Sequence, residues 1–268
     1  MKRTGLKKIH LFFSSFFICL LHLPFVFAKT KPKMEKMPGT AGTRSEFVSG
    51  TLTSGQPFLQ NNVEVSMYDS LRLASLGLAR QAFDYAMQGF NYMKQTGRIA
   101  NENIISIVDF SKPSSKKRLF IIDLKNCKIL FNTYVAHGVN SGKEFARQFS
   151  NIPESNQSSL GFYKTADTYI GKHGYSLHLF GVEKGINDNV YKRDIVIHGA
   201  DYVDENMISR QGYIGRSWGC PAVPEHLSKS IIDKIKNGTC LFIFGEDKKY
   251  LSRSAMLQRV SPLFAYQS

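Results

Sequence analysis

Residues 104–136 read IISIVDFSKPSSKKRLFIIDLKNCKILFNTYVA. Three short runs stand out in it: Ile104–Phe110, Lys117–Leu124 and Lys128–Ala136. They are rich in Ile, Val, Leu and Phe, and Ser, Pro, Lys and Asn separate them, which is the pattern of strands joined by turns. Lys125-Asn126-Cys127 predicts a hairpin turn between the second and third. Four runs of the same kind follow: Leu160–Ala166, Ser176–Val182, Asp194–His198 and Cys240–Phe244. Branched and aromatic side chains suit a pleated, half-buried surface. Upstream the period changes. Ser66-Met67-Tyr68-Asp69 resembles a capping box. Leu71, Ala74, Leu78, Ala82, Tyr85, Ala86 and Met93 then recur at helical spacing as far as Gly97. This predicts one helix over 67–96, or two with a break near Gly77 or Gly89. A late helix starts at Pro224, shows Leu227, Ile231, Ile232 and Ile235 on one face and stops at Gly238. The sequence therefore predicts a mainly β domain with an N-terminal helical segment and one late helix, without internal repeats.

Composition agrees with a packed core. Of 268 residues, 43% are hydrophobic and 21% charged, which excludes a wholly disordered chain. The only long uncharged stretch is N-terminal, which excludes a polytopic membrane protein. Four cysteines are too few for a disulfide scaffold. The formal charge of +14 favours an anionic partner. Nucleic acid and an anionic polymer surface such as a bacterial cell wall fit this charge equally well, and charge alone does not choose. Lys and Arg are scattered, with no recognition helix or zinc-finger pattern and without the clustered basic face a nucleic-acid binder needs.

Residues 1–28 have the three parts of an export signal. Met1–Lys8 is basic, Ile9–Leu21 is apolar, and Val26-Phe27-Ala28 follows Pro24 with small residues at the cleavage positions. An uncleaved anchor is the alternative, and it would be the only membrane contact. Residues 29–65 read as linker, 66–98 as the helical segment, 99–246 as the main body and 247–268 as a tail. Export predicts a place outside the cytoplasm, which for a bacterial protein is the periplasm or cell envelope. There the three remaining cysteines, Cys127, Cys220 and Cys240, cannot all pair with one another.

One of them lies in a chemically suggestive setting. The apolar strand Ile195-Val196-Ile197 ends in His198-Gly199-Ala200, and Gly215-Arg216-Ser217-Trp218-Gly219-Cys220 follows. A thiol attacks carbonyls poorly until it ionises, and a neighbouring imidazole can take its proton and return it later. Gly219 lets the backbone approach a substrate, and free N–H groups at or before Cys220 could hold an oxyanion, since Pro221 offers none. His173, between Gly171 and Gly174, is expected in a loop near the site.

At these residues the chain resembles the murein L,D-transpeptidase catalytic domain family of bacterial cell walls. The resemblance runs from about Asn103 to Gly245. It includes Ile107–Ser111, Ala136-His137-Gly138, Asn140-Ser141-Gly142, Phe149-Ser150-Asn151, Ser158–Gly161, Gly171–Tyr175 and Ile197–Ala200. It implies a β-sandwich or barrel catalytic domain. It also implies that Cys220 attacks the carbonyl on the L-centre of the third residue of a peptidoglycan stem peptide. D-Ala leaves, a thioacyl-enzyme forms, and an amine takes the acyl group to give a 3→3 cross-link. His198 is then base and acid, oriented by the Gly199 carbonyl in place of a carboxylate. No metal or organic cofactor is implied. One departure is Trp218, where many members of the wider family carry a second His. Arg216 is the candidate cation for a substrate carboxylate. Ser217, Trp218, Gly219, His173 and Tyr175 complete the candidate substrate-binding set. The rival readings are an L,D-carboxypeptidase that uses water, and a non-catalytic wall-binding module. A zinc hydrolase lacks its H-E-x-x-H pair.

Overall fold

A computed structural model describes residues 67–258. The export signal, the linker, Ser66 of the capping box and residues 259–268 lie outside the described residues. Eight strands form the body: β1 (Ile104–Asp109), β2 (Leu119–Asp123), β3 (Lys128–Thr133), β4 (Gly161–Gly171), β5 (Gly174–Gly181), β6 (Val196–Ala200), β7 (Ala222–Pro224) and β8 (Cys240–Phe244). They make one sheet in the order β3-β2-β1-β8-β4-β5-β6-β7. The last strand lies in the middle. β8 pairs parallel to β1 and antiparallel to β4, and all five of its residues, Cys-Leu-Phe-Ile-Phe, are buried. A continuous apolar run suits a strand covered on both faces. Beyond β3 the chain swings round to the far edge. Ala136 N–H donates to Ala222 O at 2.8 Å, and Gly138 bridges to Ser217. The sheet is therefore almost closed on itself, the mainly β sandwich or barrel expected.

The seven expected strands all form. β7 was not anticipated, because three residues carry no periodicity. β4 and β5 run longer than expected, leaving Lys172 and His173 as a two-residue turn between Gly171 and Gly174. That places His173 in the tight turn at the tip of a hairpin.

The helical segment divides at Gly77. A turn of helix at 67–70 precedes it, and α1 (Arg80–Gln95) follows. α1 buries Ala82, Phe83, Ala86, Met87, Gly89, Phe90 and Met93 against β1 and β8, a stripe at helical spacing. Gly89 is no break. It is the notch into which Phe162 of β4 fits, and a Cβ there would lie 2.0 Å from the Phe162 ring. Phe162 in turn stacks on Phe242 at 4.2 Å. Asp109, at the end of β1, accepts from the Ala79 N–H at 2.9 Å and so satisfies the helix start from the sheet.

More helices form than the one expected late in the chain. α2 (Glu205–Gln211) is capped by Asp204, whose Oδ1 accepts from Asn206 N–H, and Gly212 ends it in a left-handed conformation. The expected late helix is α3 (Glu225–Ile235), with Ile231, Ile232 and Ile235 buried. Within the stretch read as a tail, α4 (Lys248–Arg253) and α5 (Ala255–Gln258) pack Tyr250, Met256 and Leu257 into the core. Glu183 anchors them: its buried carboxylate accepts from Ser254 Oγ, from Tyr250 OH and from Phe162 N–H.

Candidate active site

The site lies where β6 and β7 run parallel. His198 is level with Ala222, so Cys220, two residues earlier, is level with Val196. The Val196 N–H points at Cys220 Sγ at 3.5 Å, and the thiol faces Asp194 O at 3.6 Å. Two residues of strand cover about 6.6 Å, so thiol and imidazole are one strand repeat apart on neighbouring strands. No hydrogen bond joins Sγ to the His198 ring among the described residues.

His198 is 2% exposed. Its Nδ1 lies 2.8 Å from Gly199 O. A carbonyl only accepts, so Nδ1 carries the hydrogen and Nε2 keeps its lone pair in the neutral ring. Burial holds the His198 pKa below the usual imidazole value; the Gly199 hydrogen bond opposes this, and His173 adds to it. Gly199 also lets α3 approach, since a Cβ there would meet Ser228 Oγ at 2.7 Å.

Desolvation pushes the Cys220 thiol up to about 11, against the Val196 N–H and the Arg193 charge, which both lower it. At neutral pH the pair is thus neutral thiol and neutral imidazole. Gly219 has φ +123°, and a Cβ on it would sit 2.9 Å from Gln157 O. Only glycine serves there. Ser217 Oγ donates to Cys220 O at 2.6 Å and accepts from Gly219 N–H at 3.1 Å, closing the turn upon itself. The N–H groups of Trp218 and Cys220 have no hydrogen-bond partner among the described residues.

The other candidates separate into two groups. His173 stacks on His198 with ring centroids 4.3 Å apart, and Lys172 holds Nζ 5.5 Å from the Trp218 ring centre. The hairpin tip therefore joins the Cys220 turn at the site. Arg216 instead directs Nη1 to the carbonyls of Val139 and Gly142, at 3.2 and 3.1 Å, and fastens the 139–142 turn. Tyr175 donates to Asp233 of α3 at 2.9 Å. Its neighbour Ser176 is level with His198, so alternation places Tyr175 on the opposite face of the sheet.

Spacing missed Arg193. It donates to Ser150 O at 2.7 Å, Ser159 Oγ at 2.6 Å, Ser155 Oγ at 3.2 Å and Gln157 O at 2.7 Å. It thereby ties the 150–159 loop to the segment that leads into β6 and supplies a positive charge acting on the thiol. Its only sequence signal is its place in Lys192-Arg193-Asp194, directly before the apolar strand. Behind the site Arg118 is fully buried and donates to His137 Nδ1 at 2.7 Å. His137 Nε2 consequently carries the hydrogen and donates to Gly142 O at 3.3 Å. Cys240 is buried beneath Met93 and Cys127 is exposed in the β2–β3 turn; both are free thiols. Among the described residues no three His, Cys, Asp or Glu converge to hold a metal ion.

Fold and site together define a mainly β domain that brings a thiol and an imidazole to two neighbouring strand ends. The L,D-transpeptidase catalytic domain family matches residues 75–244, more than half of the chain. The chain belongs to this family. No curated relative matches the chain. Among solved structures it is similar to an L,D-transpeptidase from Mycobacterium smegmatis (10% identity, 53% of this chain, 59% of that one, TM-score 0.33). Others are an L,D-transpeptidase from Stackebrandtia nassauensis (16%, 63% and 69%, 0.33) and the helical cell shape determining protein Pgp2, K307A mutant, from Campylobacter jejuni (14%, 68% and 62%, 0.38). The chain spans about three fifths of the length of the mycobacterial protein.

Proposed function

We propose that the protein is an exported thiol L,D-transpeptidase of the cell envelope, with Cys220 as nucleophile and His198 as base and acid. The observation that carries this reading is the His198 ring, pinned through Nδ1 to Gly199 O, which leaves Nε2 free to take a proton. The high thiol pKa means that the proton leaves Sγ as attack begins, rather than beforehand. Sγ attacks the carbonyl on the L-centre of the third stem residue. The oxyanion is received by the unpartnered N–H groups of Trp218 and Cys220. His198 then gives its proton to the departing amine of D-Ala. An amine from a second stem attacks the thioester and restores the thiol.

Purified protein incubated with tetrapeptide muropeptides tests this by mass spectrometry. The expected result is release of D-Ala, a covalent acyl adduct on Cys220 and 3→3 cross-linked dimers. Cys220→Ala should abolish all three. His198→Ala should slow adduct formation by roughly 10²–10⁴-fold, the usual range for a lost general base. An adduct that persists in Cys220→Ala would overturn the assignment. A product made with water alone would favour the L,D-carboxypeptidase reading.

A further inference from the structure

Two consecutive side chains at the β4–β5 hairpin tip link the Trp218 indole to the His198 imidazole. Lys172 Nζ stands 5.5 Å from the centre of the indole, and His173 stacks on His198. Trp218 is 72% exposed and only two residues from the thiol. A large aromatic ring left in water beside a reactive group is an interaction surface in waiting. Its face carries negative potential and attracts a cation, and indole does so best of the aromatic rings. In this chain the face already holds an alkylammonium, the chain's own, on an exposed and flexible stem. An incoming alkylammonium matches that occupant in charge and shape.

We propose that the Trp218 face is the acceptor subsite, receiving the ammonium of the incoming amine in the place that Lys172 Nζ fills at rest. The inference rests on the reading of Cys220 as the acylated residue. After the first step the acyl group is held on Sγ as a thioester. The acceptor ammonium displaces Lys172 from the ring and gives one proton to solvent. The free amine attacks the thioester carbonyl, a C–N bond forms and the C–S bond breaks. The second amine proton passes through His198 Nε2 to the departing sulfur. Thioester and ammonium become amide, thiol and one solvent proton. Water has no charge for the ring to hold, so the site selects amine over water.

The test reads product ratios in the full chain, so that adduct yield cancels. A tetrapeptide stem serves as donor, and Nα-acetyl-lysine competes with water as acceptor. Trp218→Leu keeps apolar bulk and removes the π face; the amine-to-water ratio should fall about tenfold. Lys172→Met removes the resident ammonium; the ratio should rise, and half-saturation should come at lower amine concentration. With hydroxylamine, uncharged at neutral pH, the ratio in both variants should match that of the parent chain. An unchanged acetyl-lysine ratio in Trp218→Leu would sink the proposal. So would a parallel fall with hydroxylamine, a fall in Lys172→Met, or a parent chain whose adduct yields only the water product. A parent chain that forms no adduct overturns the functional reading itself, and the subsite with it.

Discussion

Arg193 shows how one residue can serve two purposes at this site. Its four donated bonds hold the 150–159 loop, and its charge favours the thiolate of Cys220. Burial and the Asp194 charge work the other way, and Tyr202 also lies within electrostatic reach of the thiol. An opposite charge a few ångströms away lowers a pKa by about one unit or more. In Arg193→Gln the pH midpoint for alkylation of Cys220 by iodoacetamide should therefore rise by about one unit. Arg193→Lys keeps the charge, and its midpoint should stay close to that of the parent chain even if lost hydrogen bonds lower Tm. Equal midpoints in all three chains would confine Arg193 to holding the loop.

At the scale of elements, α1 and the sheet are fitted at Gly89. Replacing an exposed mid-helix glycine by alanine normally stabilises a helix by about 1 kcal/mol. Here the added methyl would enter the Phe162 ring, which is itself wedged against Phe242. Overpacking a dense core costs roughly 1–3 kcal/mol. Gly89→Ala should thus destabilise, with a lower urea midpoint and an unchanged m-value. A rise in the midpoint would mean that helix and sheet separate there without cost. The same contact explains why α1 belongs to the body of the fold, and the family match also reaches back past it to residue 75.

For the whole molecule, pH acts through buried groups other than the thiol–imidazole pair. His137 is neutral, its pKa pushed down to about 3 chiefly by burial and then by the Arg118 charge. The unfolded chain binds a proton at this residue near the usual 6.5, whereas the folded chain does not until about 3. Between those values the unfolded state holds more protons, so stability contributed by His137 falls as pH falls. Glu183 has the opposite sign. Its pKa is raised by burial, so its contribution falls as pH climbs above the ordinary carboxylate range. His137→Gln isolates the first effect. The stability margin of the parent chain over this variant, from urea midpoints, should narrow as pH drops from 6.5 towards 3. A margin constant over that range would show that His137 titrates alike in both states.

The sequence by itself determined the elements. Seven strands, the α1 stripe and the α3 face were legible because periodicity is set by near neighbours in the chain. The His198-Gly199 strand end and the glycine-bounded Cys220 turn were legible for the same reason, as local chemistry in a short span. Only the tertiary structure decided what these elements meet. It threaded β8 between β1 and β4, made β7 a strand by pairing it with β6, and set the hairpin tip upon His198. It set Arg216 Nη1 against two backbone carbonyls and the Tyr175 hydroxyl against Asp233, and it brought the Arg193 charge to the thiol. Each of these outcomes depends on hydrogen bonds and burial between residues far apart in the chain. Spacing carries no record of such partners, because a side chain's donors can be spent on a backbone carbonyl as readily as on a substrate.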